Sequence, residues 1–116
     1  MSVETNWVYQ LHWRPTFWED MTDREESLLG EHDRYVESLH TRGLVALAGA
    51  ILDPPTGLIF IRATDEDSAK AIMAGDPCVR ANIVAVTLHA FDAGYVGADD
   101  GYNHLRDDVK ASGEET

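Results

Sequence analysis

Apolar residues recur along the chain with two different periods. From Trp7 to Trp13, the residues Trp7, Tyr9, Leu11 and Trp13 alternate with Val8, Gln10 and His12. A two-residue period rich in aromatic and β-branched side chains predicts a strand. Arg14-Pro15 ends it, because proline has no donor for a sheet ladder. Pro15 to Met21 reads as a loop carrying two exposed aromatics, Phe17 and Trp18.

The period then changes. Thr22-Asp23-Arg24-Glu25 is a capping box, and Leu28, His32, Tyr35, Val36 and Leu39 follow at helical spacing. This predicts a helix to about Arg42, closed by Gly43 in the left-handed region. Leu44 to Leu52 is apolar throughout, so periodicity alone does not separate strand from helix. Its shortness and the turn Asp53-Pro54-Pro55-Thr56-Gly57 favour a strand entering a hairpin, with Leu58 to Ala63 returning. Thr64 or Asp65 caps a shorter helix to about Ala74, with Ala69, Ile72 and Met73 on its inner face. Gly75-Asp76-Pro77 closes it, and Ile83 to Phe91 is the last strand.

The order β-α-β-β-α-β is that of the α+β ferredoxin-like split βαβ fold. Right-handed crossovers give an antiparallel four-stranded sheet in the order 4-1-3-2, with both helices on one face. Trp7, Tyr9, Trp13, Phe60 and Phe91 supply more bulk than one face needs. The expectation is therefore a homodimer with two sheets packed face to face.

Residues 1–92 form this domain, and residues 93–116 differ in character. The tail holds 6 acids against 2 basic residues, and Tyr95, Val96, Tyr102 and Leu105 are its candidates for docking on the domain or on a second subunit. Over all 116 residues the formal net charge is −12, of which the domain carries −8 (15 acids, 7 basic residues). So acidic a chain repels phosphate backbones and anionic headgroups, which excludes nucleic acid and membrane surfaces as partners. Hydrophobic residues are 44% of the chain, enough for a core. The start shows neither a basic n-region nor an apolar h-region, and Leu44 to Leu52 is far shorter than a membrane helix, so a cytoplasmic protein is expected.

Cys78 is the single cysteine, so no disulfide forms within one chain and a thiolate zinc site is disfavoured. GxGxxG, P-loop, GxSxG and HExxH patterns are all absent. His32 and His40 stand ~12 Å apart along one helix, too far to share an ion. His12 and His89 fall on neighbouring strands near opposite ends. No metal and no cofactor are expected.

His32 lies on the apolar stripe of the long helix. It is either a core histidine satisfied by one hydrogen bond or a tunable proton shuttle. Asp76 is either a turn former before proline or a carboxylate that orients a histidine. Cys78 reads as a small buried hydrophobe rather than a nucleophile. Trp13, Arg14, Phe17 and Trp18 cluster after the first strand, as a lid with a carboxylate-binding arginine or as a packed loop. Arg80 is a further candidate to meet an anionic group.

Three stretches resemble the YCII-related family: His32-x-x-Tyr35-Val36-x-x-Leu39-x-x-x-Gly43-Leu44-x-x-x-Ala48-Gly49, Gly57-Leu58-x-x-x-x-Ala63, and Ala69-x-x-x-Met73-x-x-Asp76-Pro77. The closing Leu88-His89-Ala90-Phe91 is similar to the family's last strand. The resemblance covers about residues 7–92. It implies a dimeric α+β barrel, similar in fold to muconolactone isomerase, with a pocket holding a His-Asp pair at His32 and Asp76. One branch of the family eliminates chloride from a chlorinated hydroxyquinol. Cys78 replaces an aromatic that commonly follows the Asp-Pro, which reshapes the pocket.

The expected protein is thus a small cofactor-free enzyme, a lyase or isomerase. Its His32-Asp76 pair would perform elimination, isomerisation or cyclisation on a cyclic or aromatic metabolite. Trp13, Arg14, Phe17, Trp18 and Arg80 would bind the ligand. The alternative is a non-catalytic binding module or an accessory protein of a metabolic pathway. The topology sets one condition. His32 lies ~15 Å along its helix, away from the end of the sheet where Asp76 sits. The two meet only if residues 76–83 descend beside that helix.

Overall fold

The computed structural model describes residues 5–96. Eight elements follow in order: β1 (Thr5–His12), α1 (Phe17–Asp20), α2 (Asp23–Thr41), β2 (Val45–Ile51), β3 (Thr56–Ala63), α3 (Glu66–Ala74), α4 (Pro77–Arg80) and β4 (Ala85–Phe91). The sheet runs β2-β3-β1-β4, which is the expected order 4-1-3-2 from the other edge. Every pairing is antiparallel, with Tyr9 opposite Ile59 on β3 and Leu88 on β4. This is the α+β ferredoxin-like arrangement.

Local chemistry explains the boundaries. Thr22 Oγ1 accepts from the Glu25 amide at 3.1 Å, and the Glu25 carboxylate accepts from the Thr22 amide at 2.9 Å. This capping box starts α2 one residue after the threonine. Gly43 follows α2 with φ +78°, a conformation glycine adopts without a Cβ penalty. Of the two caps considered for α3, Asp65 is the one used, accepting from the Ser68 amide at 2.7 Å.

The core lies between the sheet and the helices. Tyr9 and Leu11 of β1, Ile59 and Ile61 of β3, Leu39 of α2 and Ala69 of α3 are all buried there, with Trp13 and Phe17. Trp7 and Tyr9 point toward the helices, so they do not load the opposite face as expected. Strand alternation places Val8, Gln10, His12, Leu58, Phe60, Thr87, His89 and Phe91 on that open face. It is therefore mixed, with an apolar centre where Phe60 and Phe91 meet edge-on, ring centroids 5.0 Å apart.

Two short helices replace expected loops. Residues 17–20 form α1, and Phe17 is buried rather than exposed, stacked on Trp13 at 3.9 Å. The stacking removes both rings from water, which open-loop aromatics would not achieve. Residues 77–80 form α4, packed against α2. Residues 83 and 84 belong to the descending connection, so β4 begins at Ala85. Asn82, at φ +57°, reverses the chain, asparagine being among the few residues that tolerate that region. In the tail, Tyr95 and Val96 are exposed and dock on nothing described. Tyr102 and Leu105 lie outside the described residues. No described helix is long and apolar enough to cross a membrane.

Candidate active site

The chain meets the condition set by its topology through Asp76 and Pro77. Asp76 is the N-cap of α4, its Oδ1 accepting from the Cys78 amide at 2.9 Å, and Pro77 occupies the first helical position. Proline gives up no hydrogen bond there, so the Asp-Pro pair turns the chain directly into a helix that packs along α2. Cys78 then donates its thiol to the Leu28 carbonyl of α2 at 3.6 Å. Gly75 makes the turn fit. A Cβ there would stand 2.5 Å from the Tyr35 hydroxyl of α2, which itself donates to the Ile72 carbonyl.

Asp76 serves two functions at once. While Oδ1 caps α4, Oδ2 lies 2.6 Å from His32 Nδ1 and accepts from the Tyr9 hydroxyl at 2.9 Å. The carboxyl group is 0% exposed. Three donors from α2, β1 and α4 therefore surround one buried carboxylate, which compensates the cost of its burial. A carboxylate acceptor fixes the proton of neutral His32 on Nδ1. Nε2 then carries the lone pair, and it has no hydrogen bond among the described residues.

His32 keeps 11% side-chain exposure. It forms part of the wall of a cavity of about 370 Å³ between α2 and the β1-β2-β3 side of the sheet. That volume is within the range of small-molecule sites. Leu29 and Val36 flank His32 along α2, and Trp13 and Trp18 form an aromatic wall. Ala48, Gly49, Ala50 and Gly57 form a side of small residues, and Asp33 is the charged lining residue. The Trp18 indole donates to the Leu52 carbonyl at 3.1 Å, tying α1 to the β2–β3 turn.

Of the expected ligand-binding residues, Trp13 and Trp18 line this cavity. Phe17 supports Trp13 from behind. Arg14 does not reach the cavity with a free guanidinium, because Asp20 and Glu25 hold it on the surface. The hydrogen bond from Arg14 is also the main reason the Glu25 carboxyl falls to about 2. Arg80 is exposed at the end of α4 and lines nothing here. Of the two readings open for Arg14, lid arginine or packed loop, its ion pairs with acids 6 and 11 residues away favour the packed loop. Cys78 is buried beneath His32 rather than lining the cavity.

Ligand-type atoms of His32, Asp76 and Cys78 lie within 4.8 Å of one another. Both carboxylate oxygens already accept from N–H or O–H donors, and burial pushes the thiol up to about 12. The set is a hydrogen-bonded network centred on the Asp76 carboxylate, and a thiol held protonated by burial is a poor nucleophile. Tyr9 is the member of the network with no site role in the sequence, where it counts only as strand bulk. Its signal was present, since a buried tyrosine hydroxyl needs a partner.

Comparison with known proteins agrees with this architecture. No curated protein sequence matches the chain significantly. The solved structure of a 5-chloro-2-hydroxyhydroquinone dehydrochlorinase from Burkholderia phenoliruptrix AC1100, in complex with 2,5-dihydroxybenzoquinone, is similar in fold with a TM-score of 0.61. The two share 15% identity, and the match covers 77% of this chain and 95% of that one. The sequence profile of the YCII-related domain matches residues 11–88, from the end of β1 into β4, and includes both His32 and Asp76. The chain belongs to the YCII-related domain family.

Proposed function

We propose that the protein is a small acid/base enzyme acting on a cyclic or aromatic metabolite in the cavity beside His32. The observation that carries this reading is the orientation of one imidazole. Nδ1 is committed to a buried carboxylate, while the ring forms part of a wall with two tryptophans. In this reading Nε2 takes a proton from the bound ring compound, and Asp76 stabilises the imidazolium that results. His32 then returns the proton at a second position in an isomerisation or cyclisation, or releases it to solvent as an anion leaves in an elimination. The lining suits a flat ring, since Trp13 and Trp18 offer faces for stacking and the small residues opposite leave room for it. The dehydrochlorinase of similar fold is named for a ring substrate of this kind and was solved with a ring-shaped ligand.

The test is a screen of hydroquinones, benzoquinones and lactones, scored by thermal shift and by turnover. It includes 5-chloro-2-hydroxyhydroquinone and 2,5-dihydroxybenzoquinone. An Ala48→Phe variant is run beside the native chain. Ala48 is exposed and lines the cavity, so a phenyl ring there fills ligand space rather than core. Compounds that stabilise the native protein are expected to lose at least ~10-fold in affinity for the variant, about 1.4 kcal/mol. Equal binding to both proteins would put the ligand elsewhere.

The working unit in this proposal is a homodimer joined through the open sheet face. Support comes from Leu47 and Ile51 of β2 and Phe91 of β4, all exposed and on the same sheet face as Phe60. Light scattering across a dilution series is expected to give the mass of two chains. A single-chain mass at every concentration would contradict it.

A further inference from the structure

We propose that Tyr9 is a positioning residue of the site, its hydroxyl setting how much of the Asp76 charge reaches the His32 imidazole. This inference rests on the reading of His32 as a proton shuttle and deepens it. Tyr9 is fully buried in β1, and its Oη stands 2.9 Å from Asp76 Oδ2. His32 Nδ1 approaches that same oxygen at 2.6 Å. Two donors thus share one acceptor, and each draws charge from the other's bond. The phenol stays a donor, because burial and the neighbouring Asp76 carboxylate both oppose its ionisation.

Packing does not explain the hydroxyl. A phenylalanine would fill the same space among Leu11, Ile59 and Leu39 without placing a polar atom in the core. What the hydroxyl adds is a fixed link from the sheet to the turn that carries Asp76. The linked carboxylate is held in one orientation toward α2, and its basicity is moderated. Without that donor, more negative charge would face Nδ1, and the imidazolium would hold its proton more tightly. A shuttle must also release its proton, so the Tyr9 bond favours the second half of the cycle.

The other titratable groups around the pair are Tyr35, Asp33 and Glu31 on α2 and Cys78 on α4, with Arg42 felt through Tyr35. The Tyr35 hydroxyl is committed to the Ile72 carbonyl, and the Cys78 thiol is protonated. Removing the Tyr9 hydroxyl leaves the hydrogen bonds of Tyr35 and Cys78 in place.

The experiment is a pH titration of the His32 ring resonances by NMR, on the full-length free protein with labelled histidine. Tyr9→Phe is expected to move the midpoint of the coupled His32-Asp76 titration to higher pH by about one unit. Replacing Tyr9 with 3-fluorotyrosine, nearly the same in shape and a stronger donor, is expected to move it to lower pH. A folded Tyr9→Phe protein with an unmoved midpoint would overturn the proposal. Should the phenylalanine variant fail to fold, an unmoved midpoint in the fluorotyrosine protein overturns it instead. No substrate enters this measurement, so its outcome is independent of whether His32→Ala loses turnover, which tests the shuttle itself.

Discussion

Asp76→Ala is expected to destabilise the fold by about 3–5 kcal/mol in chemical denaturation. The size follows from what the side chain leaves behind. The Tyr9 hydroxyl, the Cys78 amide and His32 Nδ1 all point at this carboxylate. Each loses its partner in a region with no exposed surface at Asp76 to admit water. An unpaired buried donor costs ~1–3 kcal/mol, the share of the Cys78 amide being the lost N-cap itself. Partial relaxation keeps the total below the sum. Asp76→Asn isolates the charge. The amide oxygen still accepts from one or two of the donors, so the stability loss is expected to be smaller, about 1–3 kcal/mol. If the amide nitrogen faces His32, it donates to Nδ1 and drives the ring proton to Nε2, removing the base while leaving the fold. An Asp76→Ala protein as stable as the native chain would mean that the carboxylate is solvated and the network is not the one described.

Much of the fold was legible because its signals are local. The two-residue period of β1, the Thr22–Glu25 box, the left-handed Gly43 and the prolines of the β2–β3 turn each act within a few residues of themselves. His32 and Asp76 each carried a structural alternative in the sequence, and their pairing followed only from the resemblance to the YCII-related family. Other features depend on contacts distant in sequence. Tyr9 looks like an ordinary inward-facing strand residue until Asp76, 67 positions later, is brought against it. α1 and α4 are four residues each, too short for any period, and they exist because Phe17 stacks on Trp13 and because Asp76 caps the turn that follows α3. The arginines are the opposite case. Their charge is plain in the sequence, but whether a guanidinium is free depends on acids that the fold brings to it, and Arg14 is taken by Asp20 and Glu25.

His32→Ala is expected to reduce turnover by about 10²- to 10⁴-fold, the usual share of a positioned acid/base group. The loss should fall on kcat, because the tryptophan wall and the small residues lining the cavity are untouched. His32→Gln serves as its control. The glutamine amide can donate to Asp76 in place of Nδ1, keeping the buried carboxylate partnered, yet it cannot shuttle a proton at neutral pH. Loss in both variants, with both proteins folded, separates proton transfer from structural support. The deciding measurement is therefore the steady-state turnover of His32→Gln against the native protein, on a ring compound that the proposed screen finds turned over. A fall of about 10²-fold or more in kcat with little change in binding is the predicted result. Native turnover by the glutamine variant would contradict the central claim that His32 moves the proton.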